Sequence, residues 1–388
     1  MKRKKLKICL FVPWLKSRGG AEATILAFLK NTEHEVDIYT WIYDKEKTFP
    51  EFKNYFVKTI APPYFKSVSR LFLLRSLVLL FSKFPKGVID YYDLVLISTS
   101  GIAELVLLRN RPKKTVFYCH TILRAANPED VRWYSDNKYK NPISKLIYII
   151  GVKVYNYLEK KSWKYVDQVI FNSKLSQERA ERKGLLKEGT SINIIYPPIK
   201  LDKFNWKTPK DFRGEYFFYP SRFNLPKRQE LLIDAWKEFQ KKHPKEALIM
   251  AGSVEKQEYL GYLKNKAKGL NITFFSNVTD EGMLALYHGC KAGIFIPFVE
   301  DFGIVPFEFI SLGKPLIAVD RGGYVSLIED YPYYFPVIER VDDYLMIQEI
   351  NKALEEFLNT RIINRKEYKA KILSEKEFAR EVDKCLTI

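Results

Sequence analysis

The sequence is poor in residues that would hold it together by anything other than packing. It has four cysteines in 388 residues, Cys9, Cys119, Cys290 and Cys385, with no close pair and no metal-ligand spacing. That pattern argues against a disulfide framework or a structural zinc site, and the thiols read as reduced and mostly buried. Histidines also number four. No Asp-x-Asp-like motif sits where a catalytic divalent ion would be wanted, so neither metal nor cofactor is expected. No apolar run reaches the roughly 20 residues of a membrane span. The opening MKRKKLK carries the charge of an export leader, but the apolar run Ile8 to Val12 ends at Pro13 and is too short. A cytoplasmic protein is expected, in which the sequons at Asn271 and Asn277 are idle. Internal repeats and low-complexity segments are missing as well.

The chain is rich in apolar residues (47%) and in positive charge, with 64 Lys and Arg against 46 Asp and Glu, a net +18. A chain this long divides into two domains of roughly 200 residues. Its basic surface suits a phosphorylated substrate, an anionic membrane or nucleic acid. No basic run interleaves with aromatics as a base-stacking platform would, and no common nucleic-acid module is present. Nucleic acid is therefore not expected as a partner, and peripheral contact with an anionic membrane ranks above it.

The most informative stretch runs from Gly293 to Asp320, GIFIPFVEDFGIVPFEFISLGKPLIAVD. Gly293 to Ile296 reads as a buried strand, Ile304 to Ser311 as a buried helix, and Leu316 to Val319 as a second strand after Gly313, Lys314 and Pro315 stop the helix. The loop between carries Glu300, Asp301, Phe302 and Gly303, and Glu308 follows on the helix. A loop at a strand's carboxyl end that leads into free helix N–H groups suits an anion. Two carboxylates there would repel one, so accepting hydrogen bonds from neutral hydroxyls is the better task for them. Glu308 can grip a vicinal diol such as a ribose, while Glu300 and the backbone near Gly303 face a sugar ring. Acids decorating an ordinary helix start are the competing reading.

A Glu, seven residues and a second Glu, with Asp-Phe-Gly-Ile after the first and Gly-Lys-Pro after the second, resembles the donor-site signature of retaining glycosyltransferases of family 4. These have the GT-B fold, two doubly wound Rossmann-like α/β domains facing across a cleft. The rest of the chain is similar to the family in several places. Strand KICLFV leads to Gly19, Gly20, Ala21 and Glu22 at a helix start, which in the family lie against donor phosphates and acceptor. TVFYCH, residues 115 to 120, ends in His120, followed by Thr121 and Arg124 in a loop. A histidine there suits hydrogen bonding or proton chemistry, or is a satisfied structural residue. Residues Tyr91 through Arg124 resemble a subgroup that includes many mannosyltransferases. They depart from it at Ile122 (usually proline), Ala125 (usually aromatic) and Gly101 (where a histidine is usual), which leaves the acceptor undefined.

In the second half, strand YFFYPSR is followed by Arg222 and Lys227 flanking a loop, two cations aimed where a diphosphate would lie, or else an ordinary charged loop. These positions match the family's phosphate-binding pair, and Val278 occupies its base-contacting turn. Residues 63 to 85 read as an amphipathic helix, packed in the first domain or touching a bilayer interface. Asn141 to Trp163 is a long helix ending in Lys160, Lys161 and Lys164, and Ser173 or Asn172 caps the next. Expected domains are residues 1–198 for the acceptor, 199–364 for the nucleotide sugar, and 365–388 as a helix returning to the first.

The resemblance implies a retaining, metal-independent hexosyltransferase. Arg222 and Lys227 would stabilise charge on the leaving β-phosphate, Glu308 would bind ribose, and Glu300 with the backbone of Phe302, Gly303 and Ile304 would hold the sugar. His120 would support its hydroxyls, and Glu22, Thr121 and Arg124 would meet the acceptor. Gly19, Gly20 and Val278 complete the donor set. The leaving phosphate, not Glu300, takes the acceptor's proton. GDP-mannose is the implied donor, and a glycan or lipid-linked molecule at the cytosolic membrane face the implied acceptor. The alternatives are a UDP-sugar enzyme of the same fold and a non-catalytic nucleotide-sugar-binding subunit.

Overall fold

The computed structural model describes residues 5–61, 82–139, 141–199, 214–298, 300–361 and 372–387. The amphipathic stretch expected at 63–85 falls outside them except for its last four residues, and the link expected at 199–215 falls largely outside. The chain divides into two compact units, residues 1–199 with 373–388, and residues 200–372.

The first unit is built on a parallel sheet whose described strands run in the order β3-β2-β1-β4-β5-β6-β7. These are Lys7–Leu15, Glu35–Tyr43, Val57–Thr59, Leu94–Thr99, Thr115–Cys119, Gln168–Phe171 and Ser191–Ile194 for β1 to β7. β1 lies between β2 and β4, with Phe11 level with Tyr39 on one side and Ile97 on the other. Side chains alternate across a strand, so Cys9 and Phe11 enter one buried layer and Ile8, Leu10 and Val12 the other. Covering on both faces is why the strand reads as a continuous apolar run.

The second of these layers is closed by the helices Gly20–Asn31 and Glu375–Leu386. The latter buries Phe378, Ala379, Val382, Cys385 and Leu386, one stripe at helical spacing, and starts in a reciprocal cap between Ser374 and Glu377. Thr32 donates to Asp383 Oδ1 (2.7 Å), tying this last helix to the end of the first. The end of the chain is thus part of the first unit's core.

The second unit repeats the plan with order β10-β9-β8-β11-β12-β13. β8 to β13 are Tyr216–Pro220, Leu248–Gly252, Ile272–Ser276, Cys290–Phe295, Leu316–Val319 and Tyr334–Val337. Phe217, Phe218 and Tyr219 are wholly buried at its centre. In each sheet the order reverses once, between β1 and β4 and between β8 and β11. Outside the carboxyl ends of those strand pairs the flanking loops part and leave a crevice, the usual ligand position in an open parallel sheet. Among the described residues no helix is long and apolar enough to cross a membrane.

Candidate active site

In the second unit, the carboxyl ends of β8 and β11 carry most of the residues singled out from sequence. After β8, Arg222 is exposed and Lys227 sits in a 3-10 turn, Leu225–Lys227. The turn is fixed from below: Tyr219 donates to the Lys227 carbonyl, and wholly buried Gln229 donates to Ser221 Oγ (2.9 Å) and the Arg222 carbonyl (2.8 Å). The Phe298 amide donates to the Pro226 carbonyl (2.7 Å), joining this loop to the one that follows β11.

There the Lys227 ammonium meets Glu300 Oε2 at 2.5 Å, with both side chains about a quarter exposed (22% and 28%). Two residues expected to contact different parts of a ligand are therefore partners of one another in this state. Glu300 is itself pinned, its carbonyl accepting from the Gly323 amide (2.9 Å). Gly303 has φ +84, and a β-carbon there would stand 2.8 Å from Tyr324 and 3.2 Å from Glu300 Cγ. Only glycine lets the loop turn this tightly under the carboxylate. Phe302 is buried and stacks on Phe307, while Ile304 is partly exposed as the helix Val305–Ser311 begins.

Glu308 lies in the first turn of that helix and accepts a hydrogen bond from the buried Tyr287 hydroxyl. Burial and the adjacent carboxylate push the Tyr287 phenol well above its ordinary range, so it stays a donor. Val278 stands apart, in the loop after edge strand β10, between Asn277 in the left-handed region (φ 57) and the helix cap Thr279. Beside Lys227, Arg228 forms a two-pronged pair with Glu339 (3.0 and 2.7 Å) and lies over the Phe298 ring.

The first unit has its own group at the β1/β4 crevice. Gly19 caps and Gly20 opens the helix Gly20–Asn31, and the cap uses no side-chain hydrogen bond. Glu22 in its first turn is buried, accepts from the Ser17 hydroxyl (2.6 Å), and would collide with any β-carbon at Gly19 (2.7 Å). An open pocket lies there, walled by Trp14, Ala21, Glu22, Ile25, Ser98 and Ser100 among others.

His120 follows β5 and is buried, its Nε2 3.0 Å from Ser98 Oγ. Burial drops its pKa to about 4, so the imidazole is neutral at physiological pH. Thr121 is buried beside it, its hydroxyl donating to the Ile122 carbonyl (3.1 Å). Arg124 turns away toward buried Asp130 (3.6 Å), which also faces Arg179 (3.6 Å). Gly101, where the resembling subgroup has histidine, takes φ +102 with Leu123 Cβ only 2.6 Å from where its own β-carbon would stand. Backbone fills that space here, and no side chain fits.

Sequence reading did not find Ser17, Ser98, Tyr287, Gln229 or the Arg228–Glu339 pair. Arg228 had a signal, its place beside Lys227. Ser17 and Gln229 meet partners in their own loops, at spacings with no marked motif, and Ser98 and Tyr287 meet theirs only through the fold. Among the described residues no group of three or more His, Cys, Asp and Glu side chains is placed to hold a metal.

Residues 202–372 match the model of the glycosyl transferases group 1 family, nearly the extent of the second unit. The chain resembles Anabaena HepE, solved in complex with UDP and glucose, with TM-score 0.65 and 19% identity over 98% of this chain and 99% of that one. It also resembles WaaG, a glycosyltransferase involved in lipopolysaccharide biosynthesis, with TM-score 0.59 and 14% identity over 97% and 95%. Two parallel-sheet units, a group 1 domain and these neighbours make the chain a glycosyltransferase of the GT-B fold.

Sequence relatives narrow the type. The alpha-1,3/1,6-mannosyltransferase ALG2 of Kluyveromyces lactis is 25% identical over 363 residues, 81% of this chain and 69% of that one. ALG2 of Dictyostelium discoideum is 25% identical over 410 residues, 92% of each. The protein is a hexosyltransferase, and these sequence relatives are of mannosyltransferase type.

Proposed function

We propose that the protein transfers a mannosyl residue from GDP-mannose to a glycan or lipid-linked acceptor at the cytosolic face of a membrane, with retention of anomeric configuration. The observation that carries the reading is the grouping of Lys227, Glu300 and Glu308 at the β8/β11 crevice, with Arg222 on the same loop. The names of the sequence relatives support mannose.

Departure of the nucleoside diphosphate builds negative charge on the β-phosphate, and fixed cations lower the barrier where that charge appears. Arg222 and Lys227 supply them, and we propose that no divalent metal is needed. On donor binding Lys227 exchanges its contact with Glu300 for phosphate, and Glu300 accepts from sugar hydroxyls beside the backbone of Phe302, Gly303 and Ile304. Glu308, oriented by Tyr287, takes the ribose diol, and Val278 meets the base.

In the first unit the Gly19 and Gly20 amides face donor phosphate. Neutral His120 hydrogen-bonds a sugar hydroxyl, and Glu22, Thr121 and Arg124 belong to the acceptor side. The leaving phosphate accepts the acceptor's proton, so Glu300 makes no covalent bond.

A thermal-shift panel of GDP, UDP, ADP and their sugar conjugates tests this on wild type and Glu308→Ala, because a ligand that binds only the native state raises Tm. GDP and GDP-mannose are expected to stabilise the wild type, and Glu308→Ala to lose the shift. A response confined to UDP-sugars replaces the donor and keeps the site. No response to any nucleotide at millimolar concentration overturns the catalytic reading in favour of a different ligand.

A further inference from the structure

The helix Pro142–Trp163 comes after the loop of His120 and a shorter helix, Pro128–Lys138, and leads back to β6. A crossover between parallel strands must return the chain from the carboxyl to the amino edge of the sheet. Its first turns lie beside the loop that follows His120, where Tyr148 reaches the Ala125 carbonyl. Its inner face buries Tyr148, Val152, Tyr155 and Trp163.

Its outer face breaks the usual rule that a surface helix turns polar residues to water. Ile143 is 69% exposed, Leu146 58%, Ile147 55% and Ile150 47%. These recur at i, i+3, i+4 and i+7, one aliphatic stripe over the first two turns. Farther along the same stripe come Lys153, Tyr157, Lys160, Lys161 and Lys164, all exposed, with the Lys161 ammonium 4.5 Å from the centre of the Tyr157 ring. The stripe carries no acidic residue; Glu159 lies on the buried side.

From this we infer that the outer face of Pro142–Trp163 docks on an anionic lipid bilayer. The Ile143–Ile150 half enters the acyl boundary, and the lysines with Tyr157 lie at headgroup level. An aliphatic stripe continued by cations and an interfacial aromatic is the pattern of a helix lying in a membrane surface. Charge complementarity selects anionic lipid over a second copy, which would bring the same lysines together. The net +18 of the chain acts in the same direction.

The seat is connected to the proposed acceptor side. Tyr148, on the inner face within the aliphatic half, donates to the Ala125 carbonyl (2.5 Å) in the loop that carries Thr121 and Arg124. This inference rests on the reading of a lipid-linked acceptor and names the surface that brings the enzyme to it.

Co-sedimentation of the full chain with vesicles tests it, using phosphatidylcholine alone and phosphatidylcholine with about one-third phosphatidylglycerol. The wild type is expected to pellet with the anionic vesicles. Leu146→Glu/Ile150→Glu should weaken that binding by at least about tenfold, since two buried aliphatic side chains are exchanged for charges. Lys160→Glu/Lys161→Glu, away from the aliphatic half, should weaken it on anionic vesicles only. Both pairs are exposed, so unchanged thermal unfolding is expected; if the first pair unfolds early, the lysine pair decides.

Wild-type chain that stays in the supernatant overturns the inference, as does binding that neither variant alters. A concentration-dependent dimer in sedimentation equilibrium, dissolved by Leu146→Glu/Ile150→Glu without vesicle binding, assigns the face to a second copy instead. No nucleotide is present in the assay, so its failure leaves the donor reading to the thermal-shift panel.

Discussion

The two crevices are built on the same sheet plan and differ in how their polar groups are held. At β8/β11 the charges are present in pairs: Lys227 with Glu300 and, one residue on, Arg228 with Glu339. At β1/β4 and β5 the functional groups are deeper and fewer, with His120, Ser98 and Glu22 all less than a tenth exposed and the imidazole neutral. A site that must accept a diphosphate has to hold cations ready without leaving them unpaired when empty, and an internal carboxylate partner does that. A site for neutral hydroxyls needs directional hydrogen bonds and little charge. The difference suits the roles proposed above, cations for the diphosphate at β8/β11 and a neutral imidazole for sugar hydroxyls after β5.

The largest test of the contrast is Lys227→Ala. If the cation acts on the departing phosphate, kcat/KM should fall by roughly 10²–10³, the cost of losing one preorganised charge-stabilising group. An equal loss from His120→Gln, read in the same steady-state assay, would erase the distinction between the halves.

The next is acid stability. The pKa of His120 is depressed in the folded state, from an ordinary 6.5 to about 4, so the unfolded chain binds the extra proton between these values. The stability associated with the neutral ring is full above pH 6.5 and is lost as pH falls toward 4, on the order of 3 kcal/mol in all. Chemical denaturation at pH 7 and pH 4.5 should show a larger drop for wild type than for His120→Gln. Equal drops would mean that the first crevice is as tolerant of charge as the second.

Tyr287→Phe gives the smallest effect. Removing the donor to Glu308 should weaken nucleotide binding by roughly tenfold, the range for a hydrogen bond to a charged group, and raise KM with kcat nearly unchanged. Titration calorimetry with the nucleotide checks it. A fall in kcat instead would place Glu308 near the chemistry and blur the division of roles within the donor crevice.

Much of the plan was legible along the chain. The apolar runs at Lys7–Leu15, Leu94–Thr99, Thr115–Cys119 and Leu316–Val319 mark strands buried on both faces, and Ser173 caps its helix through the Ser176 amide. The edge strands β3 and β13 were not, because three or four residues such as Val57–Thr59 and Tyr334–Val337 leave no period to read. The exposed aliphatic stripe of Pro142–Trp163 was also hidden. Sequence shows that the helix is apolar on several sides, and only packing shows which side is left outside.

Local chemistry therefore determined the alternation of strand and helix, the two-unit plan and the glycines and carboxylates of the Glu300 to Glu308 loop. Tertiary structure alone decided the partners: Lys227 with Glu300 across 73 residues, Arg228 with Glu339 across 111, His120 with Ser98 across 22 and Tyr287 with Glu308 across 21. The reason is physical. Side-chain partners at a sheet's carboxyl edge are set by which strands lie side by side, and that order follows from burying both faces of the sheet, not from distance along the chain.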